Sequence, residues 1–313
     1  MRQAVVDKPV IETRGLSKRY GDVVAVKDLS LSVETGGVFG LLGPNGSGKT
    51  TTMGMLLGLV RPTAGSIRLF NEPEGVPREA LHRIGAIVES PAFYPHLSGR
   101  SNLCYFQGIL GGRPSQVDQL LDSVGLLERA DSRFSTYSLG MKQRLGVAYA
   151  LLGDPELIFL DEPTNGLDPA GMAEVRDLIK GLGTEGRTVL LSSHLLHEVE
   201  LVCDSVAILS RGELIAQGRV ADLVSAQAAI RFKTTDDDQA RLVVSALDWV
   251  EEVREEGGYL LASAPAERSH ELTAALAQHD VWIREMAPVE VSLERYFLEV
   301  TGSDANEETE GGQ

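Results

Sequence analysis

The chain reads as an α/β protein: a parallel sheet covered on both faces, interrupted by a helical insertion and followed by a small α+β unit. Three observations carry that reading. Short apolar runs, Val38–Leu42, Leu157–Leu160 and Thr188–Ser192, alternate with helical patterns, and strands with no polar face belong to a sheet buried on both sides. Between Ser90 and Tyr137 the pattern turns helical, with Arg100–Leu110 and Ser115–Val124 and little strand character. Beyond residue 228 the order is strand, helix, strand, strand, helix, strand.

Those last elements are strand Ala229–Lys233, helix Asp237–Leu247, strands near Trp249–Arg254 and Tyr259–Ser263, helix Ala266–Gln278 and strand Val281–Glu285. Their order is that of a ferredoxin-like unit. A final helix, Ser292–Val300, precedes the acidic tail Thr301–Gln313, whose Gly, Asn and Glu predict disorder. The boundary between the two main parts is expected at 219–228, after strand-like Ser205–Leu209, the turn Arg211-Gly212-Glu213 and strand-like Leu214–Gln217. The expected organisation is therefore 1–220, with its helical part at about 90–140, then 229–300, then 301–313.

Composition bounds the function. With 313 residues, 43% hydrophobic and 24% charged, the chain has mass for a core, which excludes wholesale disorder. Its 29 basic and 45 acidic residues leave a net charge of −16, which disfavours a general nucleic-acid binder. Residues 231–313 carry 7 basic and 19 acidic side chains, so most of the imbalance lies in the last quarter. No run reaches the roughly 18–20 apolar residues of a membrane span, and the charged start MRQAVVDKPV does not resemble an export signal. Cys104 and Cys203 are too few for a disulfide framework and lack metal-ligand spacing. A cytoplasmic address follows as the expectation.

Three segments carry chemistry. Gly43-Pro44-Asn45-Gly46-Ser47-Gly48-Lys49-Thr50 fits GxxxxGK[ST] between a predicted strand and a predicted helix, followed by Thr51. Its glycines let backbone N–H groups converge on phosphates at a helix N-terminus; Lys49 would reach the β- and γ-phosphates and Thr50 would offer a hydroxyl to Mg²⁺. Leu157–Leu160 delivers Asp161 and Glu162 at a strand's C-terminal end, where doubly wound sheets place ligands. Asp161 would hold Mg²⁺ through water and Glu162 would polarise the attacking water as general base; taken alone, the pair is also compatible with a strand ending in an acidic turn. His194 follows the third strand. A histidine there is either structural or placed to bond the γ-phosphate.

The segments now match a known family. Tyr137-Ser138-Leu139-Gly140-Met141-Lys142-Gln143-Arg144 resembles the LSGGQ signature of ATP-binding cassette (ABC) ATPases, and it lies just upstream of Asp161-Glu162 as in that family. Asn165-Gly166-Leu167-Asp168 resembles the D-loop, His194 the switch histidine, and Tyr20 the aromatic that stacks on adenine, although a lone tyrosine also serves as core. The motifs run in order across residues 10–220. The resemblance implies a P-loop cassette with a parallel-sheet core, an antiparallel β-subdomain and an inserted helical subdomain. It also implies ATP and Mg²⁺ as ligands, and two cassettes, homo- or heterodimeric, packed head to tail. Ser138, Leu139, Gly140 and Met141 would then act on the other subunit's ATP, with Asp168 in the D-loop. Ser138 also fits an ordinary helix N-cap.

Where the family has a glutamine loop, Ile84-Gly85-Ala86-Ile87-Val88-Glu89 carries Glu89, which keeps an oxygen for Mg²⁺ and loses the amide donor. The stretch Glu89-Ser90-Pro91-Ala92-Phe93-Tyr94-Pro95 and the variant signature together resemble the bacitracin and lantibiotic resistance subgroup, and the segment Val291–Leu298 resembles ATPases of type 2 exporters. That resemblance implies an ATPase powering export of a peptide antibiotic or other drug. Its partner would be a separate permease that holds it at the cytoplasmic face of the membrane, with no nucleic acid involved. Phe93 and Tyr94 fit either the permease groove or the helical core. Two other readings are a soluble ABC ATPase acting on DNA or ribosomes, and an interaction protein with a vestigial site. The first lacks a heptad insertion or second cassette; the second is disfavoured by Lys49, Asp161, Glu162 and His194.

Overall fold

The computed structural model describes residues 9–89, 92–110, 115–225, 228–289 and 292–298. Ser90 and Pro91 of the Glu89 loop, the first eight residues, the side chain of Ser115, the end of the final helix and the tail 301–313 lie outside the described residues. The contacts divide the chain into two units, Met1–Gly218 and Arg219–Gln313.

The first unit opens with β1 (Ile11–Tyr20), β2 (Val23–Leu29) and β3 (Ser32–Val33), then β4 (Gly37–Leu42), α1 (Lys49–Leu56) and β5 (Ala64–Leu69). β1 pairs antiparallel with β2, β3 and β5, which makes the antiparallel subdomain. α2 (Arg78–Leu81), β6 (Ile84–Ile87), α3 (Gly99–Ile109), α4 (Ser115–Ser123) and α5 (Leu139–Ala150) follow, the last three forming the helical insertion. β7 (Leu157–Asp161), α6 (Pro169–Thr184), β8 (Thr188–Ser193), α7 (Leu196–Val202), β9 (Ser205–Ser210) and β10 (Glu213–Arg219) complete the unit. The central sheet runs β10-β9-β4-β8-β7-β6, and β9, β4, β8, β7 and β6 are parallel neighbours.

The strands are apolar on both faces because both are covered. Phe39, Leu41, Phe159 and Leu190 share one buried cluster with Met53, Met55 and Leu56 of α1 and with the antiparallel subdomain. Val189, Ile158 and Leu160 are equally buried on the alternate face, beneath buried Val175, Ile179 and Val199 of α6 and α7. Each such side chain contributes about 1.5–3 kcal/mol of transfer free energy.

In the second unit, α8 (Val220–Ser225) precedes β11 (Ala229–Thr234), α9 (Asp237–Ser245), β12 (Val253–Glu256), β13 (Tyr259–Ser263), α10 (Ser269–Ala277) and β14 (Ile283–Pro288). The sheet order β12-β13-β11-β14 gives a split β-α-β arrangement. Phe232, Leu260, Val244, Leu272 and Leu276 form its core. Two expected strands are displaced. Trp249 sits in a turn and its strand starts at Val253, because Trp249 packs on the helix side and carries the Arg268 guanidinium 4.2 Å from its ring. The last strand runs Ile283–Pro288, beyond Glu285, because β11 supplies pairing partners up to Pro288.

Candidate functional site

The strand register brings three strand ends to one level: Leu42 lies beside Ser193, and Asp161 beside Ser192. From β4 the chain enters the phosphate loop, where Gly43, Gly46 and Gly48 all have positive φ. Gly48 has φ +101, and a Cβ there would stand 2.6 Å from the Ala25 carbonyl oxygen of β2. Only glycine permits both the conformation and that approach. The loop is thus seated under the antiparallel subdomain, and Gly212 N–H donates to Ser47 O at 3.2 Å.

Lys49, at 6% exposure, is held on three sides. Its ammonium donates to Gly43 O at 2.7 Å and Pro44 O at 3.3 Å, and it pairs with Glu162 Oε1 at 3.4 Å. Thr50 Oγ1 donates to Asp161 Oδ2 at 3.2 Å. Glu162 takes a positive φ of 48°, and its other oxygen, Oε2, meets His194 Nδ1 at 2.8 Å. Lys49, Glu162 and His194 therefore form one linked set and Thr50 with Asp161 a second, brought side by side because Lys49 adjoins Thr50 and Asp161 adjoins Glu162 in the chain. Buried charges need such partners.

Other expected residues lie outside these two sets. Tyr20, 49% exposed, ends β1 with the Lys18 ammonium 4.8 Å from its ring. Glu89 is exposed and, like Glu162, has positive φ. Ser138 caps α5, accepting from Met141 N at 3.2 Å, and Asp168 caps α6, accepting from Gly171 N at 3.0 Å. These helix starts touch: a Cβ on Gly166 would meet the Leu139 side chain at 3.3 Å, and one on Gly140 the Leu167 side chain at 3.9 Å. Phe93 is buried, with edge-on rings of Phe106, Phe134 and Tyr149 around it; Tyr94 is 39% exposed. The two neighbours are thereby divided between core and surface.

One residue escaped the sequence reading. Ser192, fully buried, donates from Oγ to Asp161 Oδ1 and accepts from Glu162 N at 2.9 Å. Its signal was its place on the strand leading to His194, but cross-strand register is not written in any one motif.

The donor set suits a hard cation. Thr50 and Asp161 offer oxygen ligands of the kind Mg²⁺ shares with substrate phosphates. Among the described residues no group of three or more His, Cys, Asp or Glu could cage a metal alone.

Comparison with known proteins gives the family. Residues 26–165 match the family model described as ABC transporter. The chain is 39% identical over 306 residues, 96% of its length and 98% of the relative's, to the uncharacterized ABC transporter ATP-binding protein YhcH of Bacillus subtilis. It is 38% identical over 298 residues to the bacitracin transport ATP-binding protein BcrA of Bacillus licheniformis, covering 94% of this chain and 97% of that one. Among solved structures, CbiO1 of Clostridium perfringens, part of the transporter complex CbiONQ, superposes with a TM-score of 0.63 at 26% identity, covering 77% of this chain and 96% of that one. These likenesses support transport and give none to the DNA- or ribosome-acting alternative. With the likeness running along nearly the whole chain, this protein belongs to the ATP-binding, ATP-hydrolysing subunits of ABC transporters.

Proposed function

We propose that the chain powers export of a peptide antibiotic or a related drug, as one of two cassettes docked on a separate permease at the cytoplasmic face of a membrane. The cluster of Lys49, Thr50, Asp161, Glu162 and His194 carries the catalytic part of this reading. The substrate class rests on the likeness to the bacitracin transport protein and on the Glu89 loop. No helix of the described residues is long and apolar enough to cross a membrane.

In this reading the backbone N–H groups of Gly43 and Asn45–Thr51 and the Lys49 ammonium bind the phosphates of ATP, with Pro44, which has no N–H, shaping the loop, and Tyr20 stacks on the base. Thr50 and Asp161 would hold Mg²⁺, and Glu89, just after β6, would offer a further carboxylate oxygen to it. Bound there, the ion neutralises charge developing on the phosphate oxygens. Lys49 exchanges its contact with Glu162 for phosphate, which frees Glu162 to take a proton from the attacking water. His194 then orients Glu162 and reaches the γ-phosphate. Ser138, Leu139, Gly140 and Met141 close over the ATP of the other cassette, and Asp168 keeps the D-loop against them. ATP therefore favours the closed pair through its greater affinity for that state.

A cleft of about 580 Å³ lined by Leu57, Leu59, Leu81, Ile84, Leu110 and Tyr149 supports the permease docking. It lies beside β6, the strand that leads to Glu89, so a helix of the permease seated there would sense the nucleotide site through that loop.

Glu162→Gln tests the assignment. Hydrolysis should fall by at least about 10²-fold, with ATP binding kept and an ATP-trapped dimer seen by light scattering. A parental rate would overturn the base assignment.

A further inference from the structure

Ser192 is a buried hydroxyl that the reading above leaves without a role. It stands opposite Asp161 in the β7–β8 ladder and is fully buried. A serine hydroxyl has one proton and can accept as well. The Glu162 N–H lies 2.9 Å from Ser192 Oγ and can only donate, so the Ser192 proton goes to Asp161 Oδ1. The same N–H is 3.2 Å from the Ser192 carbonyl. Glu162 has φ +48, a region that non-glycine residues occupy only with local support.

We propose that Ser192 is a positioning residue that sets the two carboxylates relative to each other. It rests on the roles given to Asp161 and Glu162 under the proposed function. The torsion that turns an aspartate carboxylate is soft. With Oδ1 tied to Ser192 by a charge-assisted hydrogen bond, the carboxylate is turned so that the Thr50 hydroxyl lies 3.2 Å from Oδ2 and 3.4 Å from Oδ1, where Mg²⁺ would be held. The backbone contact pins the left-handed turn that sends the Glu162 side chain toward Lys49 and His194. One strand therefore governs both groups: Ser192 fixes the metal-holding carboxylate and the turn, and His194 holds the base carboxylate.

The test compares Ser192→Ala and Ser192→Thr with the parent in the full chain. ATP binding is titrated calorimetrically in EDTA and at rising Mg²⁺, and kcat and KM are measured at saturating Mg²⁺. For Ser192→Ala, ATP affinity in EDTA should stay within about twofold, the Mg²⁺ needed for half-maximal binding should rise, and kcat should fall, each of the last two by about 10- to 100-fold. KM should move far less than kcat, and Ser192→Thr should restore both quantities. If the alanine variant does not fold, Ser192→Cys, which fills the space with a weak donor, carries the same expectation. Parental Mg²⁺ requirement and kcat in Ser192→Ala would overturn the proposal, as would equal losses in the threonine variant. Glu162→Gln separates the two levels of failure. If it hydrolyses ATP at the parental rate, the site reading falls; if it is inactive while Ser192→Ala is parental, only the role of Ser192 falls.

Discussion

Ser138 carries two expected roles whose energies differ enough to be separated. As N-cap of the 12-residue helix α5 it accepts one N–H, from Met141, at 3.2 Å, from an exposed position. Replacing such a cap by alanine costs about 0.5–1 kcal/mol, since water can serve the freed N–H. If the same hydroxyl also meets the γ-phosphate of a partner cassette, Ser138→Ala removes a hydrogen bond to a charged group worth about 1.5–3 kcal/mol. That converts to a loss of roughly 10- to 150-fold in hydrolysis. Ser138→Asn keeps the cap, because asparagine is among the best N-cap residues, but places a longer amide where the phosphate contact is needed. Phosphate release at saturating ATP, measured beside denaturant unfolding, should show alanine losing both functions. Asparagine should recover stability without recovering the rate. Hydrolysis within about twofold of parent in Ser138→Ala, with the stability loss present, would leave Ser138 a cap alone and remove the head-to-tail geometry inferred from it.

Further outcomes can be stated more briefly. Gly48→Ala should lower stability by about 2–5 kcal/mol and weaken ATP binding, because its Cβ would add left-handed strain and overlap with the Ala25 carbonyl at 2.6 Å; unchanged unfolding and ATP titration would contradict the seating of the loop. Glu89→Ala should slow hydrolysis or uncouple it from transport while ATP affinity is retained; equal transport and hydrolysis in parent and variant would refute a sensing role. Burial pushes the Cys203 thiol well up, with Asp204 adding to the effect, so maleimide should label native protein at Cys104 first. Since only the unfolded chain then ionises Cys203 near its ordinary value, this residue costs no stability below about pH 8.5 and destabilises the fold as pH rises above it. A Cys203→Ala variant should flatten that alkaline decline in thermal melts.

What the sequence disclosed follows from how the information is distributed along it. Contiguous motifs were legible: the phosphate loop, Asp161-Glu162 and the helix starts at Ser138 and Asp168 each need residues only a few positions apart, and each is organised locally by glycine φ or by capping. The fully apolar strands disclosed the two-sided sheet for the same reason. Edges depending on distant partners were misplaced: β14 extends to Pro288 because β11 offers Ile230 across from it, and no local pattern in Ile283–Pro288 fixes that end. The same limit hid Ser192, whose neighbours in sequence describe an apolar strand and whose contacts with Asp161 and Glu162 are set by register with β7. It also left Phe93 and Tyr94 undivided, since only packing against Phe134 and Tyr149 sends one of them inward. Function at this site has the same two layers. Residues proposed to meet the nucleotide come in short motifs, whereas groups bonded to them, such as Ser192, come from a neighbouring strand. Substitutions with large effects are therefore expected along β8 as well as within the motifs.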